Sequence, residues 1–471
     1  MFDKLIFIEI FFHLNSLSKY HIFFNFSCQC RFSPYFHKIR LKMNRNIALF
    51  FTILNVILTL NSGASKKTDP FYYQNAVYRE EIKSVQLYRI GNELSNPVIE
   101  LGTDTKLVLK FDELAEDVKN FTYTLIHCDV NWNESYIQQN EYLTGFPDNP
   151  VKDYAMSFNT TVKFVNYQVQ IPNDDCAPKY SGNYALVVFE ENNRENLVLI
   201  QRFYVVEPSV KIEGLVKKAT FDPFNGENQE VDFKVINQQL KLLNPRDDIK
   251  VVLMQNRRWD NAILNLKPSF IRDNVLDYDY NKENVFPGGN EFRYFDIRTR
   301  RYNGENIEDI KFIRPYYHVT VLPDAIRSNK KYSPYKEMNG NFVIESQDRV
   351  TDLDTECDYM FVHFYLPMQS QLVGGSVNVF GALTGWNANK TNEMKWNFTS
   401  AGYELSLLLK QGYYNYQYVY VPEGAKKADS VNLEGTHYMT ENDYQIFAYY
   451  RDQAGRFDRL VGFTNLNSAI R

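Results

Sequence analysis

Cysteine and histidine are scarce in this chain, and neither sign of charge dominates it. Of 471 residues, 5 are Cys and 7 are His. Cys28 and Cys30 fall in an atypical leading segment, which leaves Cys128, Cys176 and Cys357, an odd number, far apart and with no C-x-x-C pair. That excludes a disulfide framework. A bridge between Cys128 and Cys176, the pair nearest in sequence, and buried free thiols are the arrangements left open. The formal net charge is -5, with Lys and Arg scattered among Asp and Glu. No basic stripe of the kind that neutralises phosphates exists, so nucleic acid is not an expected partner.

Catalytic signatures are missing as well. The chain has no G-x-S-x-G, no G-x-x-x-x-G-K-[ST], no H-E-x-x-H and no G-x-G-x-x-G. Each of those patterns places a nucleophile, a phosphate cradle or a metal by a definite local geometry, so their absence points away from an enzyme and from a bound cofactor. A small-molecule ligand is not expected either. After Met43 the histidines are His127, His318, His363 and His437, none close in sequence to another.

What the chain does have is aromatic residues, 34 Tyr and 35 Phe. These favour strands, because they pack well across a half-buried pleated surface. Helical periodicity over three turns is rare, and the length exceeds what one core absorbs. The reading is all-β, with tandem β-sandwich, immunoglobulin-like domains.

The start of the chain divides in two. From Met43, "MNRNIALFFTILNVILTLNSGASKK" gives Arg45, an apolar run from Ile47 to Leu60, then Ser62, Gly63, Ala64 and Ser65. That order is the order of a secretory signal peptide, assigned to 43–65. The run is shorter than the roughly 20 residues that span a bilayer, so no membrane insertion is expected. Residues 1–42 mix charges and histidines into apolar runs without pattern, and read as an over-extended gene start.

Three strand series follow. "KLVLKFDEL", "NFTYTLIHCDV", "YQVQIP", "GNYALVVFEE" and "LVLIQRFYVVE" lie in 66–208, and several alternate strictly; Phe121, Tyr123, Leu125 and His127 share one face. About seven short strands in roughly 130 residues is the count of an immunoglobulin-like sandwich. A second β domain is assigned to 209–338 and a third to 339–471. In the third, "GYYNYQYVYV" sets Tyr414, Tyr416, Tyr418 and Tyr420 on one face of a central sandwich strand. Some of those hydroxyls are expected in water, on an aromatic face suited to a protein partner.

Two local strings invite chemistry and fail. In "HCD", His127 and Cys128 are strand neighbours on opposite faces, so the imidazole does not activate the thiol. "DYDYN", Asp277 to Asn281, begins like a calcium loop, but its sixth position is Lys282 and its twelfth Gly288, where turn and bidentate ligand are required. A better binding signal is "VNVFGALTGWN" followed by "YELSLLLKQGYYNYQYVYV", which looks like the strand order of an early-set, glycogen-binding type of immunoglobulin-like module. That resemblance implies Trp386, Lys390 and Trp396 as sugar contacts, and an extracytoplasmic carbohydrate-binding protein as the alternative function. A fold pattern is not a site, and the same pattern builds a plain sandwich.

Across the chain, "YTLIHCDVNW", "EYLTGF", "DYAMSFNT", "SGNYALVVFEE", "QNRRWDNAI" and "FPGGNEFRYFDIR" resemble, in this order, the type 9 secretion system plug protein family. The match runs from about Tyr78 to Phe463. It implies a non-catalytic, three-domain β protein at the periplasmic side of the bacterial outer membrane, closing the periplasmic mouth of the very large translocon barrel when no substrate is crossing. A soluble block of sandwiches can do this by surface complementarity, with aromatic and Arg anchors inside a polar rim. The loops "QNRRWDNA" and "FPGGNEFR", with Arg257, Arg258, Trp259, Phe292 and Arg293, are the candidate partner interface. Local packing, with Trp259 filling its own domain, is the competing use.

Overall fold

A computed structural model describes residues 73–221, 226–451 and 455–469. The assignments for 1–42 and 43–65 lie outside the described residues. Strands follow one another along the described chain, with helical segments of three or four residues only. The all-β class holds.

The first sandwich uses strands between Ala76 and Val206. One sheet runs Ala76–Val77, Leu197–Val206, Gly182–Glu190, Phe121–Cys128 and Asp148–Pro150; the other runs Ile82–Arg89, Leu107–Glu113, Val165–Ile171 and Asp153–Met156. Phe111, Phe121, Leu125, Tyr167 and Leu186 fill the space between them. Phe121–Cys128 is buried along its whole length, because its second face is covered too. Ile126 and Cys128 on that face pack with Val252, Met254, Phe447 and Tyr449 of the next sandwich.

That second sandwich is made from two stretches far apart in the chain. Ile249–Gln255 pairs with Asp443–Tyr450, which pairs in turn with Arg459–Asn467. Facing them is a sheet in which Val210–Lys218, Asn228–Asn237 and Val275–Tyr278 are neighbours, and Val231, Val235, Leu253 and Ile446 lie between the sheets. The third sandwich is built from strands between Arg293 and Pro422. Arg293–Asp296, Phe342–Ile344 and Gly375–Phe380 all pair with Gly412–Pro422; the opposite sheet orders Ile307–Ile313, Tyr316–Val321, Tyr359–Pro367, Gly402–Lys410 and Lys395–Asn397.

The boundary at 338/339 therefore needs correction. The third sandwich interrupts the second, and the final strands return to complete it. Backbone pairing explains this: an isolated Ile249–Gln255 strand would leave a row of unpaired N–H and C=O groups, and Asp443–Tyr450 satisfies one side of it.

The tyrosine row also faces otherwise than expected. Tyr414, Tyr416 and Tyr418 are buried in the core of the third sandwich, and Tyr420 packs at its margin. The Tyr416 and Tyr418 hydroxyls donate to Asp324 Oδ2 at 2.6 and 2.7 Å, not to water. The strand is central, as its position among three partners requires, but its aromatic face looks inward.

Candidate functional site

Where the three sandwiches meet there is a cleft of about 130 Å³. Gln86 and Gln201 line it from the first, Arg257 and Trp259 from the second, and Phe342 and Trp386 from the third. Glu93 stands exposed at its rim. Three of the eight residues singled out in the sequence thus meet in one place, although two separate strings suggested them.

Arg257 arrives there by an unusual turn. The amide of Arg258 donates to the Gln255 carbonyl at 3.0 Å, and the two residues between, Asn256 and Arg257, have φ of 51° and 61°. Both central residues in the left-handed region make this a type I′ turn, which favours Asn first and Gly second. Asn256 suits its place, whereas Arg257 stands where Gly costs least and where a long side chain carries strain. Its backbone N–H is held by Gln445 Oε1 at 2.9 Å. Among the described residues its guanidinium makes one hydrogen bond, to the Leu94 carbonyl, and no carboxylate pairs with it. Desolvation by the surrounding protein, opposed only by Asp443, draws its pKa below the ordinary arginine range to about 10, so it stays cationic at neutral pH. Trp386 repeats the pattern, at φ 57° after the Ala382–Thr384 turn, with its amide bonded to the Gly381 carbonyl at 3.0 Å.

Behind the cleft the first and second sandwiches are locked together. The Arg202 guanidinium lies 4.3 Å from the Trp132 ring centre and 4.9 Å from that of Trp259. Trp259 Nε1 donates to the Tyr204 hydroxyl at 3.2 Å, and Tyr204 stacks on Phe447 at 4.4 Å. Trp259 is therefore an anchor between domains, neither a surface contact nor a filler of its own domain.

The other candidate interface residues are buried and require correction. Arg258 is bidentate to Asp260, at 3.0 and 2.7 Å, and reaches the Ala428 carbonyl at 2.9 Å, joining the second sandwich to the third. Phe292 is 3% exposed and meets Trp386 edge to face. Arg293 holds Glu434 through Nε and Nη2 and Asp324 through Nη1. Loops rich in Gly, Asn and Arg suggested exposure; Arg258 instead pairs with its neighbour Asp260, and Arg293 with Glu434 and Asp324 far away in sequence.

The sugar-contact trio does not assemble into one platform. Trp386 packs on Phe380 and Phe292, outside the third sandwich's core, whereas Trp396 packs on Tyr403 against that core. Phe380 and the core residue Val379 are strand neighbours on opposite faces, which separates the two indoles. Lys390 is exposed.

His127, the cysteines and the acidic group near Asp279 are held by the fold. His127 is buried, with Nδ1 against Ser135 Oγ at 2.8 Å and Nε2 against the Ser181 carbonyl at 3.1 Å. Cys128 points to the other side of the strand, and burial raises its pKa far above the usual thiol range. All three described cysteines are free and buried, so the Cys128–Cys176 bridge is not formed. Asp279 of the "DYDYN" loop does approach Glu230 and Asp232. The Lys217 ammonium sits there, 2.5 Å from Asp232 and 3.1 Å from Glu230, as the counter-charge.

Burial holds the His127 pKa down to about 4 from 6.5, so the folded protein keeps the ring neutral while the unfolded chain takes up the proton first. Its contribution is complete above pH 6.5 and is lost as pH falls towards 4, worth about 3 kcal/mol. His127→Gln is expected to flatten the dependence of the urea midpoint on pH between 4 and 6.5, compared with the unaltered protein.

Comparison with known proteins gives a family model and solved structures that this chain resembles. The model of the type 9 secretion system plug protein 1st domain matches residues 82–207. A crystal structure of a hypothetical protein from Parabacteroides merdae ATCC 43184 is 36% identical, with a TM-score of 0.82, over 84% of this chain and 100% of that one. No curated protein matches.

Proposed function

We propose, from the premise that this chain belongs to the type 9 secretion system plug protein family, that it is a non-catalytic plug which binds and seals the periplasmic mouth of the secretion system's outer-membrane translocon. A role in type 9 secretion comes with the family. The sealing itself is our reading, and the observation that carries it is the cross-bracing of the three sandwiches into a single block.

A seal over a wide pore must not deform under load. Arg202 between two tryptophans joins the first and second sandwiches, and Arg258 with the Ala428 carbonyl joins the second and third. Lys410 against Asp112, at 2.6 Å and buried, joins the third back to the first. A binding module that needed only one sandwich would have no use for such closure. The sugar-binding alternative lacks a site of its own, since its two tryptophans face different clusters.

The contact with the barrel is assigned to the edge of the first sandwich, inside the region matched to the family. Asp153–Met156 pairs on one side only, with Val165–Ile171. Tyr154, Met156 and Phe158 are 49%, 56% and 61% exposed. An open strand edge beside exposed aromatic and aliphatic side chains offers both backbone pairing and apolar area to a partner strand.

Loss of the protein tests the reading. Cells lacking it are expected to admit large antibiotics that the intact outer membrane excludes, and re-expression to restore exclusion. Unchanged permeability in cells that make the translocon would overturn the proposal.

A further inference from the structure

The cleft at the three-sandwich junction has features that sealing a pore does not use. Of the two arginines that line it, Arg202 lies over the Trp132 and Trp259 rings, whereas Arg257 makes one hydrogen bond and pairs with no described carboxylate, unlike the interior arginines Arg258 and Arg293, which both hold carboxylates. The aromatic residues Trp259 and Trp386 line it, with Gln86 and Gln201. Two of the lining residues, Arg257 and Trp386, are held at positive φ, which costs of order 1–3 kcal/mol for a bulky side chain and concentrates at functional sites. At the Arg257 position Gly would build the turn without that cost, so turn formation does not account for the guanidinium.

We infer that this cleft is a binding site for a carboxylate attached to a flat apolar body, with Arg257 gripping the carboxylate and Trp386 flanking the body. A planar guanidinium with free N–H donors matches a carboxylate in a paired geometry that a lysine cannot reproduce. Apolar walls with a few converging polar groups are the usual make-up of a ligand site at a domain interface. The volume of about 130 Å³ is a little below the roughly 150 Å³ of a cavity that accepts benzene, so the cleft seats at most one ring and the rest of the ligand lies towards solvent. This inference stands independently of the plug reading.

The carboxylate can belong to a small free acid or to the end of a peptide chain. The full chain is titrated calorimetrically with benzoate, and with a pentapeptide ending in Phe, as the free acid and as the C-terminal amide. Saturable one-to-one binding is expected for at least one free acid, with loss for the amide. Benzoate binding as well as the peptide assigns a free acid; the peptide binding tenfold tighter assigns a chain terminus. Arg257→Gly is the decisive variant, because the turn tolerates it, and it is expected to fold and to weaken binding at least tenfold. Trp386→Leu keeps the cation and removes a wall, and is expected to weaken binding several-fold. Absence of binding by both free acids, or binding by Arg257→Gly as tight as the original, would overturn the site.

Discussion

Lys410→Met is expected to lower the free energy of unfolding by about 3–5 kcal/mol, the cost of leaving a buried charge without its partner. Asp112 and Lys410 are 0% and 2% exposed, and their contact at 2.6 Å crosses from the first sandwich to the third. Three donors converge on the Asp112 carboxylate: Lys410, the Tyr359 hydroxyl at 2.7 Å and the Asn166 amide at 2.7 Å. The Lys410 ammonium also donates to the Asp354 carbonyl and lies 4.2 Å from the Phe164 ring centre. Methionine fills the stem's volume but brings no charge, so the Asp112 carboxylate is left buried without its counter-ion, and the first and third sandwiches lose one of their ties. Asp112→Asn together with Lys410→Met removes both charges and is expected to regain much of the loss. Urea unfolding of the single and double variants measures this; a double variant no more stable than the single would show that the charge is not the cause.

Glu434→Ala is expected to cost a similar amount, again about 3–5 kcal/mol, because it leaves Arg327 without a carboxylate partner and Arg293 with one of its two. Glu434 is fully buried and accepts from Arg293 Nε and Nη2, from Arg327 Nε at 2.7 Å and from the Tyr418 amide at 2.8 Å. The arginines hold its carboxyl below the usual carboxylate range despite burial, which by itself would raise it. Asp324 remains to balance Arg293, through a contact of 2.6 Å, so the damage concentrates on Arg327 and on the strand carrying Tyr416 and Tyr418. Glu434→Gln keeps an acceptor and is expected to lose less. Thermal unfolding followed by near-ultraviolet circular dichroism, which reports the buried tyrosines, distinguishes the two variants.

Strand identity was legible because alternation is a local property. Phe121, Tyr123 and Leu125 share a face in the sequence and share a core in the fold, whereas the cover over Ile126 and Cys128 on the other side comes from strands far along the chain. Domain limits were not legible, because "YQIFAYY" announces a strand without announcing its neighbour. That neighbour, Ile249–Gln255, lies on the far side of a whole inserted sandwich. Ionic partners escaped for the same reason. Arg293 and Glu434 are 141 residues apart, so Arg293 read as a charge in a Gly-rich loop and hence as surface. The cleft was half visible. Trp259, Arg257 and Trp386 were singled out, but for unrelated reasons, and only the folding of three domains around one point brings them together. The left-handed turn at Asn256–Arg257 is the one local signal that could have marked it, since Asn in such a turn ordinarily precedes Gly.

The most direct measurement is recovery of the tagged protein from solubilised outer membranes. The account predicts that a very large barrel protein comes with it, and that Tyr154→Asp with Met156→Asp, which charges the exposed edge strand, cuts that recovery at least tenfold while the fold is kept. Recovery of no barrel, together with retention on a glucan column, would contradict it.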